Sequence, residues 1–94
     1  MECATIGISV HALKRFDDRG FKAVGIERVV REGEIIREYE DDRPWPSYLV
    51  RGRIGERVVH VVVARNSSDA TCVVVTAYEP TAANWENDLR TPRR

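Results

Sequence analysis

The stretch SYLVRGRIGERVVHVVVA, residues 47–64, decides the fold. It holds two runs rich in β-branched residues, 47–54 and 57–64, with only Gly55 and Glu56 between them. β-Branched side chains favour extended backbone. Gly at the first position of a two-residue loop is the signature of a type II′ hairpin. A loop that short fixes the register. Ile54 stands opposite Arg57, Arg53 opposite Val58, Gly52 opposite Val59 and Arg51 opposite His60. Side chains alternate between faces along a strand. Leu49, Arg51, Arg53, Val58, His60 and Val62 therefore share one face, and Tyr48, Val50, Val59, Val61 and Val63 the other. The second set is apolar apart from one hydroxyl and needs a cover of helices, whereas the first can face water.

Outward from the hairpin, RNSSDA (65–70) is a polar turn and TCVVVTAYE (71–79) a further strand. Simple alternation puts Val73, Val75 and Ala77 on the helix-covered side and Cys72, Val74, Thr76 and Tyr78 on the open side. On the other flank, EIIREYE (34–40) reads as a strand and DDRPWP (41–46) as a Pro-punctuated loop. Residues 9–19 and 22–32 have helical spacing. Ser9 is the N-cap and Gly20 the stop of the first, with Ala12, Leu13 and Phe16 inward. Val24, Ile26, Val29 and Val30 form the inward stripe of the second, which Gly33 ends and Gly25 weakens. After Pro80, TAANWENDLR (81–90) predicts a short closing helix with Thr81 as cap and Trp85 in the core. The expected fold is α+β: two N-terminal helices packed on one face of a four-stranded antiparallel sheet, with a short C-terminal helix.

Ninety-four residues give one domain, 43% hydrophobic and 32% charged, a composition that folds and stays in solution. No apolar run approaches the roughly 20 residues of a membrane span, and MECATIGISV lacks a signal-peptide pattern. A cytoplasmic protein without a membrane partner is expected. Cys3 and Cys72 lie far apart and no His or Cys groups at ligand spacing, so the expectation is two reduced thiols, no metal and no cofactor. The net charge of zero argues against a strong non-specific grip on nucleic acid. Thirteen of the fifteen basic residues are Arg, whose planar fork fits phosphate and carboxylate, although a GC-rich genome gives the same bias.

Two groups of residues could carry chemistry. The open face offers Arg51, Arg53, His60, Thr76 and Tyr78, with Arg51 and His60 about 5 Å apart as cross-strand neighbours. A half-solvated sheet carries polar residues in any case. In the first helix, His11, Arg15 and Arg19 recur every fourth residue. At about 100° per residue they form a strip beside the buried stripe. His11 lies in the first turn, where the helix dipole favours a bound anion and a neutral imidazole able to act as a base. The alternative is ordinary surface ion pairing of Arg15 and Arg19 with Asp17, Asp18 or Glu27.

The order and spacing of several segments carry a family resemblance. SVHALKRFDDRG, VVREG, the EYE-to-RPWPSYL passage, VVHVVVA and VVVTAYEP followed by Trp85 are similar to the DUF4258 family of small bacterial domains, over residues 9–86 of a single 1–94 domain. The positions that match its recurring motif are His11, Arg15, Arg19 and Gly20, then Tyr48, His60, Tyr78 and Pro80. Phe21 departs from the usual Ile. The resemblance implies a relation to RelE-like ribonuclease toxins, with a RelE-like or barnase-like architecture, and to toxins of the motility quorum-sensing regulator type. It also implies a cognate antitoxin partner of zinc-finger or helix-turn-helix character.

Two functions follow. The first is a toxin of a type II toxin–antitoxin system, a metal-independent endoribonuclease that cleaves RNA by 2′-OH attack. His11, Arg15, His60 and Tyr78 would be catalytic, and Arg19, Arg51, Arg53 and Tyr48 would bind RNA or phosphate. The second is a non-catalytic protein-interaction module using the polar sheet face and the Trp45 loop, where Trp45 is either an exposed anchor or a lid on the core.

Overall fold

The computed structural model describes residues 1–92. Its elements are β1 (Thr5–Ile8), α1 (Val10–Asp18), α2 (Ala23–Glu32), β2 (Glu34–Tyr39), β3 (Ser47–Ile54), β4 (Arg57–Asn66) and β5 (Thr71–Tyr78). The hairpin closes in the register its loop demands, with Ile54 opposite Arg57 and Arg51 opposite His60. Gly55 takes a φ of +63°, the left-handed value that a type II′ turn requires at this position.

The sheet is five-stranded and mixed, in the order β1-β5-β4-β3-β2, and this corrects the expected four antiparallel strands. The additional strand is β1, paired parallel to β5 from Thr5 opposite Thr71 to Ile8 opposite Val74. It is four residues long and buries only Ile6 and Ile8 in part against the core. The expected closing helix is absent as well. Residues 81–92 form turns and one bridge between Trp85 and Pro92. The Asp88 carboxylate accepts from the backbone N–H groups of Arg90 and Thr91, a local alternative to helical bonding.

Both helices cover one face. The Ser9 hydroxyl accepts from Ala12 N–H and starts α1, and Gly20 stops it at a φ of +75°. Ala12 and Phe16 of α1, and Ile26, Val29 and Val30 of α2, meet Val50, Val59, Val61 and Val63 in the core. Leu13 and Val24, expected inside, are exposed. In α2 the buried stripe includes Gly25 instead, because a β-carbon there would come within 3.2 Å of Ile54.

Strand β5 corrects the facial assignment. Val62 pairs with Thr76 but Val63 with Val74, so Val75 is the extra residue of a bulge. Ala77, Thr76 and Tyr78 keep their expected sides, whereas Cys72 and Val74 turn into the core and Val75 becomes exposed. That inversion brings Cys72 to Cys3, and the two form a disulfide rather than two free thiols. No helix among the described residues is long and apolar enough to cross a membrane.

Candidate functional site

On the face away from the helices, the strand registers line up one polar row. Glu34 of β2 pairs with Arg51 of β3, Arg51 with His60 of β4, and His60 with Tyr78 of β5. Neighbouring strands lie roughly 5 Å apart, so four adjacent strands place one residue each on a rung that crosses most of the sheet. Arg53 lies further along this face, exposed.

His60 is wholly buried although it points away from the core. The cover comes from the segment after β5. The Trp85 indole meets the imidazole edge-to-face, with centroids 4.5 Å apart. His60 Nε2 lies 2.6 Å from the Leu89 carbonyl, so Nε2 carries the proton and donates it. Nδ1 is then the acceptor for the Tyr78 hydroxyl at 3.4 Å. Burial lowers the pKa of His60 and the charge of Arg51 lowers it further, with the bond to Leu89 opposing both. Burial raises the pKa of Tyr78, helped by Tyr39. The rung thus combines a neutral imidazole, a protonated phenol and a guanidinium. Arg51 Nε is buried with no hydrogen-bond partner among the described residues. At the far end, Arg90 pairs with Glu34.

The other expected residues lie elsewhere. His11 and Arg15 are exposed on α1, in the helical layer, so the sheet stands between α1 and the rung. Arg19 donates to the carbonyl of Ala77 at the β5 edge, next to Tyr78 in the chain. Arg57 ties the same corner. Its guanidinium sits 4.3 Å above the Phe21 ring, donates to the carbonyls of Arg19 and Gly20, and pairs with Glu79. Arg19 is therefore engaged in joining α1 to the sheet. Tyr48 faces the helical layer and packs against the core. The sequence reading missed Glu34, although its place opposite Arg51 is set by the β2 register, and it missed Trp85 and Leu89 as neighbours of His60.

Trp45, half-buried, lines a groove with Pro44, Ser47, Ala64, Val73 and Val75. Among the described residues no three His, Cys, Asp or Glu side chains group to hold a metal ion.

A family model described as "Domain of unknown function (DUF4258)" matches residues 8–79. Comparisons with curated proteins and with solved structures return no match.

Proposed function

The chain belongs to the DUF4258 family, and from that premise we propose that it is a metal-independent endoribonuclease whose reactive groups are the rung residues Arg51, His60 and Tyr78. The observation that carries this reading is the register that sets a guanidinium, an imidazole and a phenol side by side on adjacent strands. Neutral His60 takes the proton of a ribose 2′-OH at Nδ1, which the Tyr78 hydroxyl vacates as it turns to the leaving oxygen. The 2′-oxygen then bonds to phosphorus, and the bond from phosphorus to the 5′-oxygen breaks. Tyr78, kept protonated by its raised pKa, gives its proton to the departing 5′-oxygen. Arg51 neutralises the charge that builds on the phosphorane, and Arg53 extends the cationic track along the RNA. The products are a 2′,3′-cyclic phosphate and a 5′-hydroxyl. In this scheme His11, Arg15 and Arg19 stand outside the reacting centre.

The reading extends to a toxin held by an antitoxin protein in the cytoplasm. The neutral net charge fits a domain that relies on a few placed Arg residues rather than on a basic surface. A reducing cytoplasm would act on the Cys3–Cys72 bond.

Purified protein incubated with single-stranded RNA in EDTA tests the chemistry. Cleavage is expected, falling by about 10²–10³-fold in Arg51→Ala and little changed in His11→Ala. Absence of cleavage by the intact chain under every condition sinks the catalytic reading. Expression should arrest growth, with relief by the neighbouring open reading frame.

The second reading, a protein-interaction module, draws on the Trp45 groove. Its cavity volume is about 440 Å³ and its wall includes Val75, 54% exposed. On this reading the chain is non-catalytic: it cleaves no RNA, and its expression leaves growth unchanged with or without the neighbouring open reading frame.

A further inference from the structure

Trp85 and Leu89, which cover His60, lie outside the family match. The matched region ends at residue 79, and the covering segment begins at Pro80. Residues 80–92 leave β5 beside Tyr78 and pass over the rung. Trp85 and Leu89 lie at His60, and Arg90 reaches Glu34 on β2. The segment therefore spans the row from one end to the other.

Local hydrogen bonds tie the segment to itself, from Asn84 and Trp85 N–H to the Thr81 carbonyl and from Glu86 N–H to the Thr91 carbonyl, so it can move as one piece. Nine of its thirteen residues are exposed, and only Pro80, Trp85, Leu89 and Pro92 are half-buried. Leu89 has a φ of +55°, a left-handed conformation that costs a bulky L-residue strain. Its attachments to the rung include a hydrogen bond, a ring contact and a half-exposed ion pair. The ion pair is exposed and so contributes little, and together the contacts oppose the entropy of ordering thirteen residues. In the rung itself, Arg51 Nε is buried with no hydrogen-bond partner among the described residues. A buried polar group left unsatisfied calls for an explanation, and a ligand of the rung supplies one.

We infer that residues 80–92 are a reversible strap that occupies the ligand position of the rung. The Leu89 carbonyl stands where a phosphate oxygen of single-stranded RNA binds, and the Trp85 indole stands where a base rests. This inference rests on the RNA reading for the identity of the ligand, but not for the masking itself. With the strap docked, His60 and RNA cannot meet. With it released, His60 Nε2, Tyr78 and Arg51 face solvent together. The apparent affinity for RNA is then the intrinsic affinity scaled by the open fraction.

The chain contains two histidines, and exposed His11 serves as an internal reference for buried His60. The experiment uses the full chain as wild type, Arg90→Glu and Trp85→Ala. Carbethoxylation rates at each histidine are read by mass spectrometry. Affinity for a labelled single-stranded RNA, with every 2′-OH methylated, is read by fluorescence anisotropy. His60 should react far more slowly than His11 in the wild type. Both variants should raise the His60 rate and the RNA affinity by about tenfold or more, with the His11 rate unchanged. Should Trp85→Ala fail to fold, Arg90→Glu, a change on an exposed side chain, carries the test. An unchanged His60 rate in a folded variant overturns the strap. So does one common measurable RNA affinity in all three proteins. A faster His60 with no RNA bound by any of them upholds the strap and removes RNA as the ligand.

Discussion

Removing the Cys3–Cys72 bond should cost this domain a large share of its stability. The two residues are 69 apart in sequence, so the disulfide closes most of the chain into one loop. The loop-entropy relation for a closure of that length gives about 4 kcal/mol at room temperature. Small domains are stable by only about 5–15 kcal/mol. At the usual entropy of unfolding per residue, a loss of that size lowers Tm by about 15–25 °C in a chain this long. The effect should begin locally. Cys3 precedes β1 and Cys72 opens β5, so the bond pins the short parallel edge strand to its neighbour. The assay is a thermal melt followed by circular dichroism on oxidised protein, on protein in excess dithiothreitol, and on Cys3→Ser/Cys72→Ser. Alkylation and mass spectrometry report the thiol state. A Tm that moves by less than a few degrees would refute the reasoning, as would two alkylatable thiols in unreduced protein.

Other consequences follow from burial and close packing. The folded-state pKa of His60 is lowered below its ordinary value, so above about pH 6.5 neither folded nor unfolded chains carry its charge. As pH falls below that value the unfolded chain takes up the proton first. Denaturant melts between about pH 5 and 8 should then show stability dropping with acidification, at up to about 1.4 kcal/mol per pH unit, with the drop reduced in His60→Asn. Asp69 and Asp88, held low by backbone N–H donors, contribute losses only at more acid pH. Gly52→Ala should destabilise by about 1–3 kcal/mol, because the new β-carbon would lie 2.8 Å from Val29 of α2. A change in denaturation midpoint reads it, and no change refutes the packing. Arg57→Ala should cost about 1–3 kcal/mol through loss of the Phe21 contact and of the bonds to Arg19 and Gly20. Phe21→Leu in the Arg57→Ala background should then cost less than in the wild type.

The hairpin at residues 47–64 could be read to the residue because a two-residue loop leaves no freedom in register. From it came the pairing of Arg51 with His60, and Tyr78 joined them because alternation holds at the far end of β5. Nothing in TCVVVTAYE marks Val75 as an extra residue, since every side chain around it is small or β-branched and fits either face. The disulfide is not legible either, because its two cysteines lie 69 residues apart and meet only through the β1–β5 pairing. Strand β1 escaped notice because TIGI is four residues long and its pairing partner lies 66 residues downstream. The segment after Pro80 has helical spacing at Trp85 and Leu89, but Asp88 diverts the backbone into a turn. His11 and Arg15 are both exposed on α1, while Arg19 follows the helix end and reaches the sheet. The position of α1 relative to the rung depends on helix packing, which no local spacing encodes.

The most direct measurement is where RNA touches the protein. Isotope-labelled Arg90→Glu protein would be titrated with a 2′-O-methylated single-stranded oligonucleotide and followed by NMR. The ring signals of His60 and Tyr78 and the side-chain signal of Arg51 should shift together and saturate at one affinity, with His11 unmoved. Shifts confined to His11 and Arg15 on α1, or to Trp45 and its groove, would contradict the assignment of the site to the rung.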